Sequence, residues 1–243
     1  AAERVLAEHG DDCWLDASSA ERVLQAYGVE FAPSRRVRGP GDAVAAAHEL
    51  GFPVVLKAEA AELLHKSDHH AVRTGLRTGD DVFAAATELE ERLGDEFSDL
   101  SLQVQAHAPG HREVLLGVTR DLRYGTLFAV GLGGVHVEAL RDVALRTGPL
   151  DGHDPIEMFA ELKGTMLLGP FRGDPAADVG AAARTLLRLQ RLVEDFPEIA
   201  EVEINPLILG AEGEPSLAVD ARLRIGPPLG LRSEDGAGRE PVG

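Results

Sequence analysis

The sequence predicts an α+β chain built as two α/β subdomains, and three observations carry that expectation. Helix and strand patterns alternate between residues 42 and 93, as a small sheet with covering helices requires. From Leu102 the apolar residues recur instead in short runs separated by Gly and Pro, the mark of successive strands. Two helical stretches then precede a closing pair of strands, which gives a second sheet its cover.

Residues 1–15 match no pattern and read as an N-terminal extension, while 226–243, rich in Gly, Pro and charge, read as a flexible tail. Ser18 and Glu21 have the spacing of a capping box, Val23, Leu24 and Tyr27 follow on one helical face, and Gly28 stops the helix. Asp42 to Leu50 makes a second helix with Gly51 as its C-cap, and the continuous apolar run Pro53 to Lys57 makes a strand buried on both faces. A short strand near Val72 and a helix over Asp80 to Leu93 complete this layer. The runs LQVQA, REVLLGV, TLFAVGL and VALRT, with turn residues at Pro109-Gly110, Gly125 and Gly133-Gly134, imply a second, mainly antiparallel sheet. Helices near 153–163 and 175–194 cover it, and AEVEINPLIL with SLAVDARL closes it. The subdomains are accordingly set at 16–104 and 105–225.

Composition excludes several function classes. The 41 acidic against 24 basic residues give a net charge of −17, which repels nucleic-acid backbones and anionic lipid. Arg35, Arg36 and Arg38 form the one dense basic cluster, too short for a nucleic-acid groove, so nucleic acid and membrane are set aside as partners. Cys13 is the only cysteine, which excludes an internal disulfide and a multi-thiolate zinc site and fits a reducing, cytoplasmic home. No apolar run reaches the roughly 18 residues of a membrane span, and the N-terminus AAERVLAEHGDD lacks the pattern of a signal peptide. The sequence does not begin with Met, so a longer parent chain is expected.

Chemistry has four candidate locations. If the closing strands form a hairpin about Ala211-Glu212-Gly213-Glu214, residues summing to 425 lie opposite each other, which sets Asn205 across from Asp220. Glu203 and Arg222 then share their face, and Val202, Ile204, Val219, Ala221 and Leu223 take the other. A carboxylate and an amide oxygen so placed suit Mg²⁺ bridging phosphates; a plain solvent-facing polar side is the alternative. Lys57, ending its strand, either projects its ammonium into a cleft as a phosphate ligand or reaches back to water. The segment Leu63-Leu64-His65-Lys66-Ser67-Asp68-His69-His70 offers imidazoles that can attack phosphorus near neutral pH, with surface histidines as the plain alternative. His65 and His69 also have the spacing of two zinc ligands on one helical face, but no third ligand follows. Gly131-Leu132-Gly133-Gly134 is neither a Walker loop nor a dinucleotide fingerprint, and reads as a tight strand connection or a close backbone approach to a ligand.

Taken in order, GFPVVLKAEAAELLHKSD, LQVQAHAPGHREVLLGVTRD, FAVGLGGVHVEALRDVALR and EDFPEIAEVEINPLIL with AVDARL resemble the ATP-grasp part of ADP-forming acetate-CoA and other acyl-CoA ligases. They are similar, more distantly, to the succinyl-CoA synthetase β subunit. The resemblance implies an ATP-grasp fold with the nucleotide held between two subdomains, binding of ATP or ADP with Mg²⁺, and a CoA-binding α-type subunit or domain as partner. It implies that Lys57 and Arg146 meet the phosphates, that Gln105 and the backbone from Val104 to Ala106 hold adenine and ribose, and that Glu113 faces the nucleotide. Asn205 and Asp220 would be the magnesium ligands and His65 the phosphohistidine relay. The family continues Asp-Val-Gly-Gly-Val where this chain has Asp68-His69-His70-Ala71-Val72, a replacement of two glycines that restricts the loop after His65. A second reading follows from that departure: a regulatory nucleotide-binding module, as in related segments fused to protein acetyltransferases. A third is a ligase that activates a carboxylate directly, without His65.

Overall fold

The structure, a computed structural model, describes residues 1–60, 71–110, 112–133, 142–170 and 173–228. His65 with its neighbouring histidines, Gly134, and the expected tail from 229 onward lie outside the described residues. Backbone contacts divide the chain into two units, Glu30–Pro109 and Ala1–Val29 with Gly110–Gly243.

Helix α1 (Ala2–Leu6) packs on α2 (Ala17–Ala26), and β1 (Cys13–Trp14) between them pairs antiparallel with Arg224 and Ile225. The stretch read as an extension thus has a strand partner about two hundred residues away, beyond the reach of local pattern. Helix α2 starts on Asp16, whose carboxylate accepts the Ser19 N–H at 3.1 Å and the Ser19 hydroxyl at 2.7 Å. Asp16 therefore takes the place expected for Ser18, because its full negative charge reaches an orphan N–H at the positive helix end. Gly28, at φ +80°, lets the chain turn back so that the Val29 N–H bonds the Leu24 carbonyl at 3.1 Å.

The 30–109 unit contains β2 (Ser34–Val37), α3 (Gly39–Leu50), β3 (Val54–Glu59), β4 (Val72–Leu76), α4 (Gly79–Leu93) and β5 (Ser101–Ala106). Its sheet runs β2-β5-β3-β4, antiparallel throughout. Val54, Leu56, Ala58, Leu102 and Val104 join residues of α3 and α4 in one core. Strand alternation sends Val55, Lys57, Glu59, Gln103 and Gln105 to the opposite face. Thr78 and Asp81 cap α4 reciprocally, at 3.1 and 3.0 Å. Strand β5 belongs to this sheet, which sets the division at 109/110 where the sequence reading placed it at 104/105. Period-two patterning says which residues are buried but not which strand is the neighbour, and Leu102 and Val104 are needed here to close the core.

The other unit continues with β6 (Arg112–Asp121), β7 (Gly125–Leu132), β8 (Val143–Thr147), α5 (Asp154–Glu161), α6 (Val179–Asp195), β9 (Ile199–Leu209), β10 (Leu217–Ala218) and β11 (Ala221–Ile225). Its antiparallel sheet runs β1-β11-β9-β6-β7-β8, and β10 also pairs with β9. Helices α5 and α6 cover one face, over buried Val118, Phe128, Val130, Val202, Ile204 and Leu223. Leu186, Leu189 and Val193 recur at helical spacing on the buried side of α6, and such a leucine contributes about 1.5–3 kcal/mol on burial. Asp178 caps the start of α6 through the Ala181 N–H at 2.9 Å, and Arg120 donates to the Val193 carbonyl near its end at 2.6 Å. Tyr27 donates to Asp195 at 2.7 Å; burial first, then that bond, pushes its hydroxyl up to about 12. Among the described residues no helix is long and apolar enough to cross a membrane.

Candidate functional site

The closing hairpin turns at Ala211–Glu214, where the Glu214 N–H bonds the Ala211 carbonyl at 2.9 Å and Gly213 takes φ +85°. From there the register keeps the sum of 425: Ala218 opposes Leu207, Ala221 opposes Ile204, Arg222 opposes Glu203 and Leu223 opposes Val202. Asn205 consequently lies across from Asp220, and its N–H donates to the Asp220 carbonyl at 3.1 Å. Ile204, Ala221 and Leu223 are buried under the helices, so Glu203, Asn205, Asp220 and Arg222 occupy the other face.

A bulge falls at this point. On the β6 side Val114 pairs with Leu207 but Leu116 with Ile204, so Asn205 and Pro206 together oppose Leu115. Bulges of this kind re-aim side chains at sites. The Asn205 amide nitrogen donates to Glu203 Oε1 at 3.2 Å, which leaves Oδ1 as the atom the side chain can offer a cation. One Asp220 oxygen accepts the Ala221 N–H at 3.0 Å. Glu201, two residues before Glu203 on the same face, has its pKa raised by burial and then by the Glu203 charge, with Arg224 and Arg222 opposing.

Glu113 is exposed on this same face, at the end of β6. Gly133 fixes it: the Gly133 N–H donates to the Glu113 carbonyl at 2.5 Å, and a Cβ at 133 would stand 2.6 Å from the Glu113 carbonyl carbon. The glycine is therefore required by its close approach to the Glu113 backbone at the end of the β6–β7 ladder. Between Glu203 and the edge strand, one row across the sheet carries Gly117, Ala129 and Leu145, and the next carries Leu115, Gly131 and Val143. Gly117, Ala129 and Gly131 leave part of this face, the floor, without bulky side chains, and Val143 and Leu145 are exposed at its edge.

Arg146 is not brought to this face. It opposes Phe128, which is buried under the helices, and its guanidinium bonds Asp154 at 3.3 Å and Glu161, with Glu157 at 3.8 Å, all on α5. The neighbours Val143 and Leu145 face the floor, so alternation turns Arg146 to the helices.

In the 30–109 unit, Lys57 is buried on the face away from α3 and α4, in a row with Arg36, Gln103 and Val72. Gln105 lies in the adjacent row between Ser34 and Val55. Arg36 bonds Glu59 at 2.8 Å, and the Gln103 amide donates to the Ser34 hydroxyl at 3.1 Å. Val104 points into the core on a strand flanked on both sides, and the Ala106 N–H is given to the Pro33 carbonyl at 2.8 Å. Of the residues read from sequence, Lys57 and Gln105 thus share one face of this unit, and Glu113, Asn205 and Asp220 share one face of the other. Glu203 was not singled out as a functional side chain, although its place two residues before Asn205 on a period-two strand puts it beside that amide.

The donor set at the hairpin is hard oxygen: one carboxylate and one amide carbonyl. Among the described residues no group of three or more His, Cys, Asp or Glu side chains could hold a metal ion. Two protein oxygens with phosphates and water completing the shell is the arrangement Mg²⁺ takes, so the residues present fit that ion.

A family model described as an ATP-grasp domain matches residues 5–225. The chain is 34% identical over 207 residues to acetate-CoA ligase (ADP-forming) I of Archaeoglobus fulgidus, covering 84% of this chain and 30% of that protein. It is 33% identical over 208 residues to the β subunit of acetate-CoA ligase (ADP-forming) II of Pyrococcus furiosus, covering 84% of this chain and 88% of that subunit. The fold is similar to dinucleotide-forming acetyl-coenzyme A synthetase 1 of Ca. Korarchaeum cryptofilum, solved with coenzyme A and Mg-AMPPCP and its phosphohistidine segment pointing towards the nucleotide-binding site. That match has a TM-score of 0.75 at 32% identity and covers 93% of this chain and 100% of that one.

Proposed function

Because the chain belongs to the ATP-grasp domain family, we propose that it is the Mg-ATP/ADP-binding component of an ADP-forming acyl-CoA ligase, passing a phosphoryl group between nucleotide and a histidine. The observation that supports the reading is the opposition of Asn205 and Asp220 on one face of the closing hairpin, two residues with hard oxygens of the kind a phosphate-bound cation takes. Mg²⁺, when bound, neutralises phosphate charge and orients the transferring group. Asn205 Oδ1 and the Asp220 carboxylate would hold it. The family resemblance further gives Lys57 to the phosphates as a point charge and Gln105 and Glu113 to the nucleotide. His65 takes and returns the phosphoryl group. A CoA-binding subunit or domain completes the reaction, since the chain spans about 30% of the single-chain relative and 88% of the β subunit.

The Asp68-His69-His70-Ala71 sequence favours a second reading, in which nucleotide binding persists without the relay and serves regulation. Incubation with γ-labelled ATP and Mg²⁺, with and without a CoA-binding partner, separates the two. The ligase reading expects acid-labile, base-stable label that is lost in His65→Ala. Failure to label in either condition, with ATP binding still weakened by Asp220→Ala, leaves the regulatory module.

A further inference from the structure

We infer that Glu203 is the positioning residue that keeps the Asn205 amide turned for a cation, an assignment that rests on the cation reading of Asn205 and Asp220. Asn205 has an acidic residue on two sides in the sheet: Glu203 two residues before it on the same face, and Asp220 across the hairpin, whose backbone carbonyl accepts its N–H. An amide has one donor end and one acceptor end of nearly equal size, so the flanking charges decide which way it turns. Glu203 Oε1 takes the Asn205 amide nitrogen at 3.2 Å. Oδ1 is then left to join Asp220 in binding a cation.

Without Glu203 the same nitrogen has another acceptor, the Asp220 carboxylate. An Asn205-to-Asp220 hydrogen bond would satisfy the pair internally and occupy both groups that the cation needs. A hydrogen bond to a charged acceptor must then be broken on binding, which corresponds to a roughly ten-fold or larger loss of cation affinity. Among the described residues its ladder neighbour on β6 is Gly117, which brings no side chain, its neighbour on β11 is Arg222, and Glu201 adds like charge from the side away from Asn205.

The test is a double-mutant cycle on Mn²⁺ affinity, read by the paramagnetic resonance of free Mn²⁺ with the chain saturated by ADP. Glu203→Ala is measured in the wild-type background and in Asn205→Asp, where position 205 has no N–H to donate and no wrong end. Positioning predicts that Glu203→Ala costs ten-fold or more beside Asn205 and within about two-fold beside the aspartate, apart from the loss of its charge, which is common to both backgrounds. Equal losses in the two backgrounds would overturn the proposal and make Glu203 a ligand or a plain charge. Thermal melts of all four proteins confirm that each is folded. The underlying reading is tested separately by Asp220→Ala: Mn²⁺ affinity unchanged in that variant removes the cation site itself, whatever the cycle shows.

Discussion

Replacing Arg146 by methionine separates a structural arginine from a phosphate ligand. The substitution keeps most of the aliphatic stem over Phe128 and removes the charge that α5 surrounds. Asp154 is the most buried partner, with 22% of its side chain exposed, and its hydrogen-bonded pair with Arg146 contributes about 1–1.5 kcal/mol. Glu157 and Glu161 are 65% and 54% exposed, so each adds only about 0.2–0.5 kcal/mol after solvent screening. Asp154 is not orphaned by the change, because it still accepts the Asp151 N–H at 2.7 Å. The total is about 2 kcal/mol, which lowers the melting temperature by roughly 4–8 °C for a unit of this size. Calorimetric titration with Mg-ADP should meanwhile give an affinity within two-fold of the parent. A ten-fold loss of ADP affinity with an unchanged melt would refute the reasoning and return Arg146 to the phosphates, since a charged hydrogen bond to phosphate is worth about 1.5–3 kcal/mol.

Gly133→Ala places a methyl group 2.6 Å from the Glu113 backbone, which no side-chain rotation relieves. The end of the β6–β7 ladder must shift, so stability should fall by about 1–3 kcal/mol in a denaturant titration, and ADP affinity should fall with it as Glu113 moves. Glu201→Gln acts in the opposite direction. Burial and the Glu203 charge hold the folded-state pKa of Glu201 above the ordinary 4.5, so the favourable contribution of its protonated form is fully present below pH 4.5 and is lost as pH rises through the raised value. The neutral glutamine should therefore melt higher than the parent at pH 7, with the gain fading below pH 4.5; a constant difference across that range would show that charge is not the cause.

How much of this was legible in the sequence depends on whether the deciding contact is local. The Asn205–Asp220 pairing could be read because a short turn about Gly213 fixes the register of everything that follows, and the alternation of Glu203, Asn205 and Arg222 with Val202, Ile204 and Leu223 agrees with it. The capping box of α4, Thr78 with Asp81, is equally local but was not read from the sequence, and the box read at Ser18 and Glu21 gave way to Asp16. Strand β5 shows the limit: its burial pattern is correct for either sheet, and only the need of α3 and α4 for Leu102 and Val104 chooses between them. β1 fails for a related reason, as two residues paired with Arg224 and Ile225 leave no periodicity to detect.

The segment VALRT reads from sequence only as a strand, with Arg146 given to the phosphates by family resemblance. The ladder with β7 sets its faces: Leu145 opposes Ala129, and Arg146 opposes Phe128 under the helices. Two things make this arrangement stable. The helix-side position is supplied with three carboxylates of α5, and the exposed positions border a floor that includes Gly117, Ala129 and Gly131. Among the described residues Val143 and Leu145 thus leave apolar surface exposed on the face that carries Glu113, Asn205 and Asp220, where a bound ligand would meet it.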